Sequence, residues 1–429
     1  MKRETLNKER TLIVGIKLDE DELDIEDSMD ELEKLVSAAG GIVVSSVIQR
    51  RHSIDPAFFI GKGKAQEIRN YCDELEVDTV VFNDELTGAQ IRNLEDIIDR
   101  KIVDRTNLIL DIFASRANSK EGKLQVKLAQ LKYRLPRLVG FGKYLSRTGG
   151  GIGTRGPGEQ KLETDRRHIL REINNIEKAL KEIERTREVN RKQRINSSIP
   201  IVALVGYTNV GKSTLLNRII EISEESTEKN ETKMVYVCDK LFATLSTSLR
   251  RAKLPNGQPF LITDTVGFVS KLPVHLVEAF KSTLEEVKYA DLLLHVVDAS
   301  SKNLNMQIKT TFDILKDLKV LDKPIITVFN KMDKANFDNL IYDSSYVDKK
   351  IFISAQNSIN LNELLHMIQD NIPVKYRKVS MVLPYTCQSI LSYLLDKYSI
   401  DYMEHKEDGV HIRLDITMDD YERYKTYIV

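Results

Sequence analysis

Gly206–Tyr207–Thr208–Asn209–Val210–Gly211–Lys212–Ser213, GYTNVGKS, is the stretch that decides the fold. It fits G-x-x-x-x-G-K-[ST] without a mismatch. The apolar run IPIVALV precedes it, and STLLNRIIEI, which is helix-like, follows. Strand, glycine loop and helix in that order make a phosphate cradle. The glycines let backbone N–H groups face phosphate oxygens, Lys212 neutralises β/γ charge, and Ser213 reaches Mg²⁺. Thr214, next in the helix start, completes this set.

Three further pieces follow in order. Asp264–Thr265–Val266–Gly267 closes the apolar run FLIT; an Asp there binds the metal through water, and the Gly267 amide senses a γ-phosphate. Asn330–Lys331–Met332–Asp333 ends PIITVF. The Asp333 carboxylate can accept two N–H bonds, from guanine N1 and its 2-amino group. Adenine lacks that donor pair, so the expected base is guanine and the ligands are GTP and GDP. Ser354–Ala355–Gln356 ends a later strand and backs the base with backbone amides. Taken singly, Asp264 and Asp333 could be caps or turn residues. Together the pieces stand at strand carboxyl ends, where open α/β sheets bind ligands.

Outward from this region, 200–373 is expected to be a P-loop domain with a mostly parallel sheet. Residues 1–105 alternate strand and helix signals (TLIVGIKL, DSMDELEKLVSAAG, GIVVSSVI, GKAQEIRNYCDELE, VDTVVFND), which predicts a small parallel α/β unit. Residues 106–195 are expected to form a helical hairpin. Leu124, Leu128, Leu131 and Leu135 mark one apolar stripe, and Leu162, Ile169, Ile173, Ile176, Leu180 and Ile183 mark another. SRTGGGIGTRGPGEQKLETDRR, Ser146–Arg167, follows the first stripe and runs into the second at Leu162. Residues 378–429 suggest strand–helix–strand–strand–helix, a small α+β domain. The fold class is thus α/β, with the long hairpin and the α+β domain appended.

The chain has 429 residues, 41% apolar and 30% charged, with a net charge of zero. That zero is uneven. Residues 1–114 hold 15 basic against 25 acidic side chains, 115–195 hold 21 against 9, and the remainder 28 against 30. The basic block sits on the hairpin and reads as a polyanion footprint or as solvated helix faces. Cys72, Cys238 and Cys387 lie too far apart for metal spacing or a disulfide framework. No run of eighteen apolar residues suggests a membrane span, and the first residues lack a signal-peptide core. A cytoplasmic monomer is expected.

The glycine-rich stretch lacks the lysine–serine pair and follows no strand, so it is no second nucleotide site. It reads as a flexible hinge or as an RNA contact. In the latter, Arg147, Arg155, Arg166 and Arg167 supply phosphate-binding forks at a narrow, glycine-rich loop. Phe268 stands where many GTPases carry a water-orienting glutamine, which predicts slow hydrolysis that a partner accelerates. Asn209 resembles the P-loop asparagine of potassium-assisted GTPases; a purely structural role is the alternative.

Taken with AFFIGKGKAQEI, TNLILDIFASRA, EGKLQVKLAQLKYRLPRL, LFATL and DTVGFVSKLPVHLVEAFKSTLEE, these motifs make the chain similar to the HflX family of translation-type GTPases over nearly its whole length. The resemblance implies a GTP-dependent factor that binds the ribosome, mainly the large subunit and its rRNA, and splits stalled or idle ribosomes. It places a magnesium-site threonine on Thr244, beside Ser213, and implies hydrolysis through Lys212, Thr244 and Gly267. Where the family usually reads FATLD-P, this chain has Ser246–Thr247 after Leu245, behind a longer acidic insertion. Mg²⁺ is the expected cofactor, K⁺ is an added one only if Asn209 serves it rather than a structural role, and DNA is no expected partner. Two other readings stay open: an RNA-binding or assembly switch that resets on hydrolysis without splitting, and a regulator whose arm binds protein. An antibiotic-resistance variant of the splitting factor would carry the same motifs.

Overall fold

The computed structural model describes residues 8–19, 25–138, 157–196, 199–224, 248–265, 267–270, 285–335, 341–372 and 376–429. Four parallel strands open the chain: β1 (Arg10–Leu18), β2 (Ile42–Arg51), β3 (Thr79–Phe82) and β4 (Lys101–Asp104), in the order β2-β1-β3-β4. Parallel pairs need crossovers. These are α1 (Ile25–Ala39), α2 (Lys62–Glu74) and α3 (Gly88–Ile98). β1 is buried on both faces, as its unbroken apolar run requires. Leu12, Val14, Val80 and Phe82 pack on Ile68 and Leu94 on one side. Ile13, Val81 and Val103 face Met29, Leu32 and Leu35 on the other, and this second cluster runs on without a break into the next sheet.

The helical region after β4 is divided. Asp104 caps α4 (Arg105–Arg116) by accepting the Asn107 N–H at 2.8 Å. Ala117 then adopts extended backbone, and α5 (Lys120–Leu138) begins afresh. α4 buries Ile109, Ile112 and Phe113 in the same core as α1. The apolar stripes meet as expected: Leu128 and Leu131 of α5 pack on Ile169, Ile173 and Ile176 of α6 (Pro157–Asn196). Ion pairs Lys127–Glu172 and Lys132–Glu177 flank that seam. With 40 residues, α6 spans about 60 Å.

The last turn of α5 is pinned to the first sheet. Tyr133 donates to buried Asp104 at 2.6 Å, and Arg137 donates to the Leu86 carbonyl at 2.6 Å. A Cβ on Gly88 would come within 3.1 Å of the Arg137 Cα, so α3 meets α5 at a glycine. Most of the glycine-rich stretch, with Arg147 and Arg155, lies outside the described residues.

The central sheet has β5 (Ile201–Gly206), β6 (Ser248–Lys253), β7 (Pro259–Asp264), β8 (Leu292–Asp298), β9 (Ile325–Asn330) and β10 (Lys349–Phe352). Its order is β10-β9-β8-β5-β7-β6, parallel except for the β6 edge. Helices α7 (Lys212–Glu224), α8 (Leu304–Asp317) and α9 (Leu361–Asn371) accompany it. The C-terminal sheet, β11 (Tyr376–Leu383), β12 (Ile400–Lys406) and β13 (Gly409–Thr417), is antiparallel in the order β11-β13-β12. It carries α10 (Gln388–Lys397) and the short α11 (Met418–Arg423). Val379, Met381, Ile412, Leu414 and Leu394 form its own core. Among the described residues, no helix is long and apolar enough to cross a membrane.

Candidate functional site

β5, central in its sheet, delivers the phosphate loop. Gly206 has φ +147°, and a Cβ there would lie 2.2 Å from the Val296 carbonyl oxygen. Gly211 has φ +95°, with its Cβ position 2.3 Å from Asn330 Nδ2. Both positions therefore admit only glycine. Lys212, at the start of α7, is buried. Its Nζ donates to the Gly206 and Tyr207 carbonyls at 3.0 and 2.7 Å. Burial lowers its pKa from 10.5 to about 8, and Asp264 opposes that shift. On β8, His295 is also buried; burial, then the Lys212 charge, depress its pKa to about 3, so the imidazole is neutral.

Two strands converge on the loop from opposite sides. On the β7 side, Ser213 Oγ donates to Asp264 Oδ2 at 2.6 Å, and Thr265 donates to the Leu204 carbonyl at 2.7 Å. Thr208 N–H donates to the Phe268 carbonyl at 2.7 Å, and Phe268 N–H to the Gly206 carbonyl at 3.2 Å. The segment after Asp264 is thus paired to the loop like an extra strand. Gly267 sits so close that a Cβ would be 2.8 Å from Thr208 Cα and 3.1 Å from Lys212 Nζ. The Phe268 side chain is 1% exposed and belongs to the apolar core cluster.

On the β9 side, Asn330 Nδ2 donates to the Val210 carbonyl at 2.8 Å, and its Oδ1 accepts the Ala355 N–H at 2.9 Å. One amide therefore joins the phosphate loop to the Ser354–Gln356 turn. Ser354 Oγ donates to Asp333 Oδ1 at 2.6 Å, which orients that exposed carboxylate. Met332 N–H donates to the Ile353 carbonyl at 3.1 Å. Asn209 (φ +61°) and Lys331 (φ +61°) are both left-handed. Lys331 Nζ donates to the Asn209 carbonyl at 2.8 Å and pairs with Asp298 Oδ2 at 2.7 Å.

Asp298, at the end of β8, was not anticipated, although a carboxylate closing the run LLLHVV is the same signal that marks Asp264. Thr214 lies in the first turn of α7. Gln356 is exposed, and its carbonyl accepts from Arg218 at 3.4 Å. Val266 and Thr244 lie outside the described residues. Arg166 and Arg167 stand on α6, exposed, both paired with Glu163. Among the described residues, no group of three or more His, Cys, Asp or Glu side chains is placed to hold a metal.

A loop, a γ-side strand and a base-side turn gathered at one sheet edge suit a guanine nucleotide. The family models agree. Residues 26–114 match the GTP-binding GTPase N-terminal model and 116–194 the GTP-binding GTPase middle region. Residues 201–331 match the model described as a 50S ribosome-binding GTPase. The GTPase HflX of Caldanaerobacter subterraneus is 47% identical over 423 residues, covering 99% of this chain and 94% of the relative. The chain belongs to the HflX GTPase family. HflX of Escherichia coli is 38% identical, over 94% of this chain and 92% of the relative. A GTP-binding protein of Sulfolobus solfataricus solved with GDP is 26% identical, with a TM-score of 0.42, covering 85% of this chain and 98% of that one. As an HflX GTPase, this chain binds GTP and hydrolyses it.

Proposed function

We propose that the chain is a ribosome-stimulated GTPase that associates with the large ribosomal subunit and dissociates stalled or idle ribosomes. The carrying observation is the burial of Phe268 in the core, where a water-orienting glutamine is absent. Among the described residues, Lys212, Gly267, Asp264 and Asp333 lie at or after the carboxyl ends of strands of one sheet, which supports this reading. Such an arrangement binds nucleotide well and waits for a partner to order the attack. The matched model named for 50S binding and the basic hairpin support the ribosome as that partner.

In this reading, Gly206–Thr214 hold the phosphates, Gly267 senses the γ-phosphate, and Asn330–Asp333 with Ser354–Gln356 hold guanine. Ser213 Oγ and the buried Asp264 carboxylate, 2.6 Å apart, form an all-oxygen set suited to a hard cation. Ser213 and Thr244 would ligate Mg²⁺, with Asp264 reaching it through water; the ion neutralises β/γ charge when bound. Lys212 would supply a further positive charge to the same oxygens. Asn209, exposed at the rim of the loop, is the position from which an amide would reach K⁺, and turnover in K⁺ against Na⁺ tests that. Arg147, Arg155, Arg166 and Arg167 would contact rRNA phosphates, so binding should weaken steeply with salt.

Sedimentation of ribosomes with the full chain tests the proposal. With GTP or a non-hydrolysable analogue, intact ribosomes should fall into subunits, with the chain on the large one. Co-sedimentation without dissociation would favour the RNA-binding switch instead, and no association would contradict both.

A further inference from the structure

Tyr207 is the second residue of the phosphate loop, and its phenol leaves the loop toward the N-terminal unit. The phenol donates to one oxygen of Glu31, on α1, and accepts the Ser270 N–H at 2.5 Å. The Ser270 hydroxyl donates to the other Glu31 oxygen. Arg105, the first residue of α4, closes the group. Its Nη2 pairs with Glu31 Oε2 at 2.5 Å and donates to Ser270 Oγ at 2.9 Å; its Nη1 donates to Asn83 at 2.8 Å. Arg105 is 2% exposed and the Glu31 side chain 11%. The apolar cluster around this group is continuous from Leu32 and Ile109 through Tyr207 and Phe268.

Two features give this group its meaning. Ser270 is three residues past Gly267, on the segment already paired to the loop through Tyr207 and Phe268. One carboxylate and one guanidinium of the N-terminal unit therefore hold together the two segments that flank the γ-phosphate position. A buried ion pair adds little net stability over an apolar substitute, but it demands one geometry. The group holds only when α1, α4, the loop and Gly267–Ser270 are all in register.

We propose that Tyr207, Glu31 and Arg105 are positioning residues for GTP hydrolysis, tying the seat of the N-terminal unit to the arrangement of Gly267–Ser270 on the phosphate loop. This deepens the proposed function and rests on its assignment of the phosphates to Gly206–Ser213 and Gly267. Coupling of this kind is reciprocal. Movement of the Gly267 segment with nucleotide state alters the hold on α1, and a partner that pulls α1 alters the Gly267 segment. A plain staple between domains would act equally in every nucleotide state.

Amide hydrogen exchange of the full chain, with GDP and with a non-hydrolysable GTP analogue, tests the proposal. Nucleotide affinities are measured on the same samples. In the wild-type protein, protection of α1 should differ between the two nucleotides by about fivefold or more. Tyr207→Phe keeps the ring and removes the hydroxyl, and should shrink that difference below about twofold while changing kcat by more than about threefold at nearly constant KM. Glu31→Gln should act in the same direction. Equal α1 protection with both nucleotides bound overturns the proposal, as does an undiminished difference in Tyr207→Phe. Failure of the wild-type chain to bind either nucleotide overturns the phosphate assignment itself.

Discussion

Tyr207 and Glu31, 176 positions apart in the chain, are joined by a hydrogen bond at the junction of the phosphate loop and α1. Burial, then the Glu31 charge, raise the phenol pKa, so Tyr207 stays a hydrogen-bond donor throughout the accessible pH range. The loop proposed to hold the phosphates is therefore anchored to α1 as well as to the central sheet.

Phe268→Gln should not create a fast enzyme. The side chain at 268 is buried in the apolar core. Turnover without ribosomes should stay within about twofold of wild type, and stability should fall by about 1–3 kcal/mol from the buried amide. A large gain in intrinsic turnover would show that position 268 reaches the attacking water.

Asp333→Asn should change the base that is bound. The carboxylate, oriented by Ser354, is the acceptor proposed for guanine N1–H and the 2-amino group. An amide cannot accept both bonds, but it can donate to a carbonyl at C2. GTP affinity should drop by roughly 10²–10⁴-fold, with xanthosine triphosphate recovering most of it. Equal loss for both nucleotides would remove Asp333 from base recognition.

Lys212 should make nucleotide binding proton-linked. With its pKa lowered from 10.5 to about 8, the folded protein without nucleotide binds fewer protons than the unfolded chain between those values. Stability should accordingly rise with pH across that window, and the cost of the buried charge is felt below about pH 8. Phosphate charge favours the ammonium, so GTP or GDP binding near pH 9 should take up close to one proton. Calorimetry in buffers of different ionisation enthalpy measures this, and no uptake would contradict it.

Gly206→Ala should be lost at the level of folding rather than catalysis. The Cβ would meet the Val296 carbonyl oxygen at 2.2 Å, in a φ region hostile to side chains. A destabilisation of about 2–5 kcal/mol, read by denaturant melts, is expected from strain plus overpacking. An unchanged midpoint would mean the loop leaves β5 differently.

What could be read in advance depended on range along the chain. The loop, Asp264, Asn330 and Ser354 announce themselves because each closes an apolar run, and parallel sheets gather such ends. The stripes of α5 and α6 were legible for the same reason: period alone places Leu128 and Ile173 on facing sides. The break at Ala117 was not, since alanine there continues a good helix pattern; the next helix starts after Ser119, whose hydroxyl accepts the Gly122 N–H at 3.0 Å. Arg105, Glu31 and Ser270 were invisible as a group. An isolated arginine at a helix start and a glutamate within an acidic helix look like ordinary surface residues until the fold buries them together.

The most direct test of the central claim is the GTP turnover of the full chain, alone and with purified large ribosomal subunits. The account predicts slow turnover alone and acceleration of about tenfold or more with subunits, because binding energy is needed to order the site. Full turnover by the isolated chain, with no response to ribosomal subunits, would contradict it.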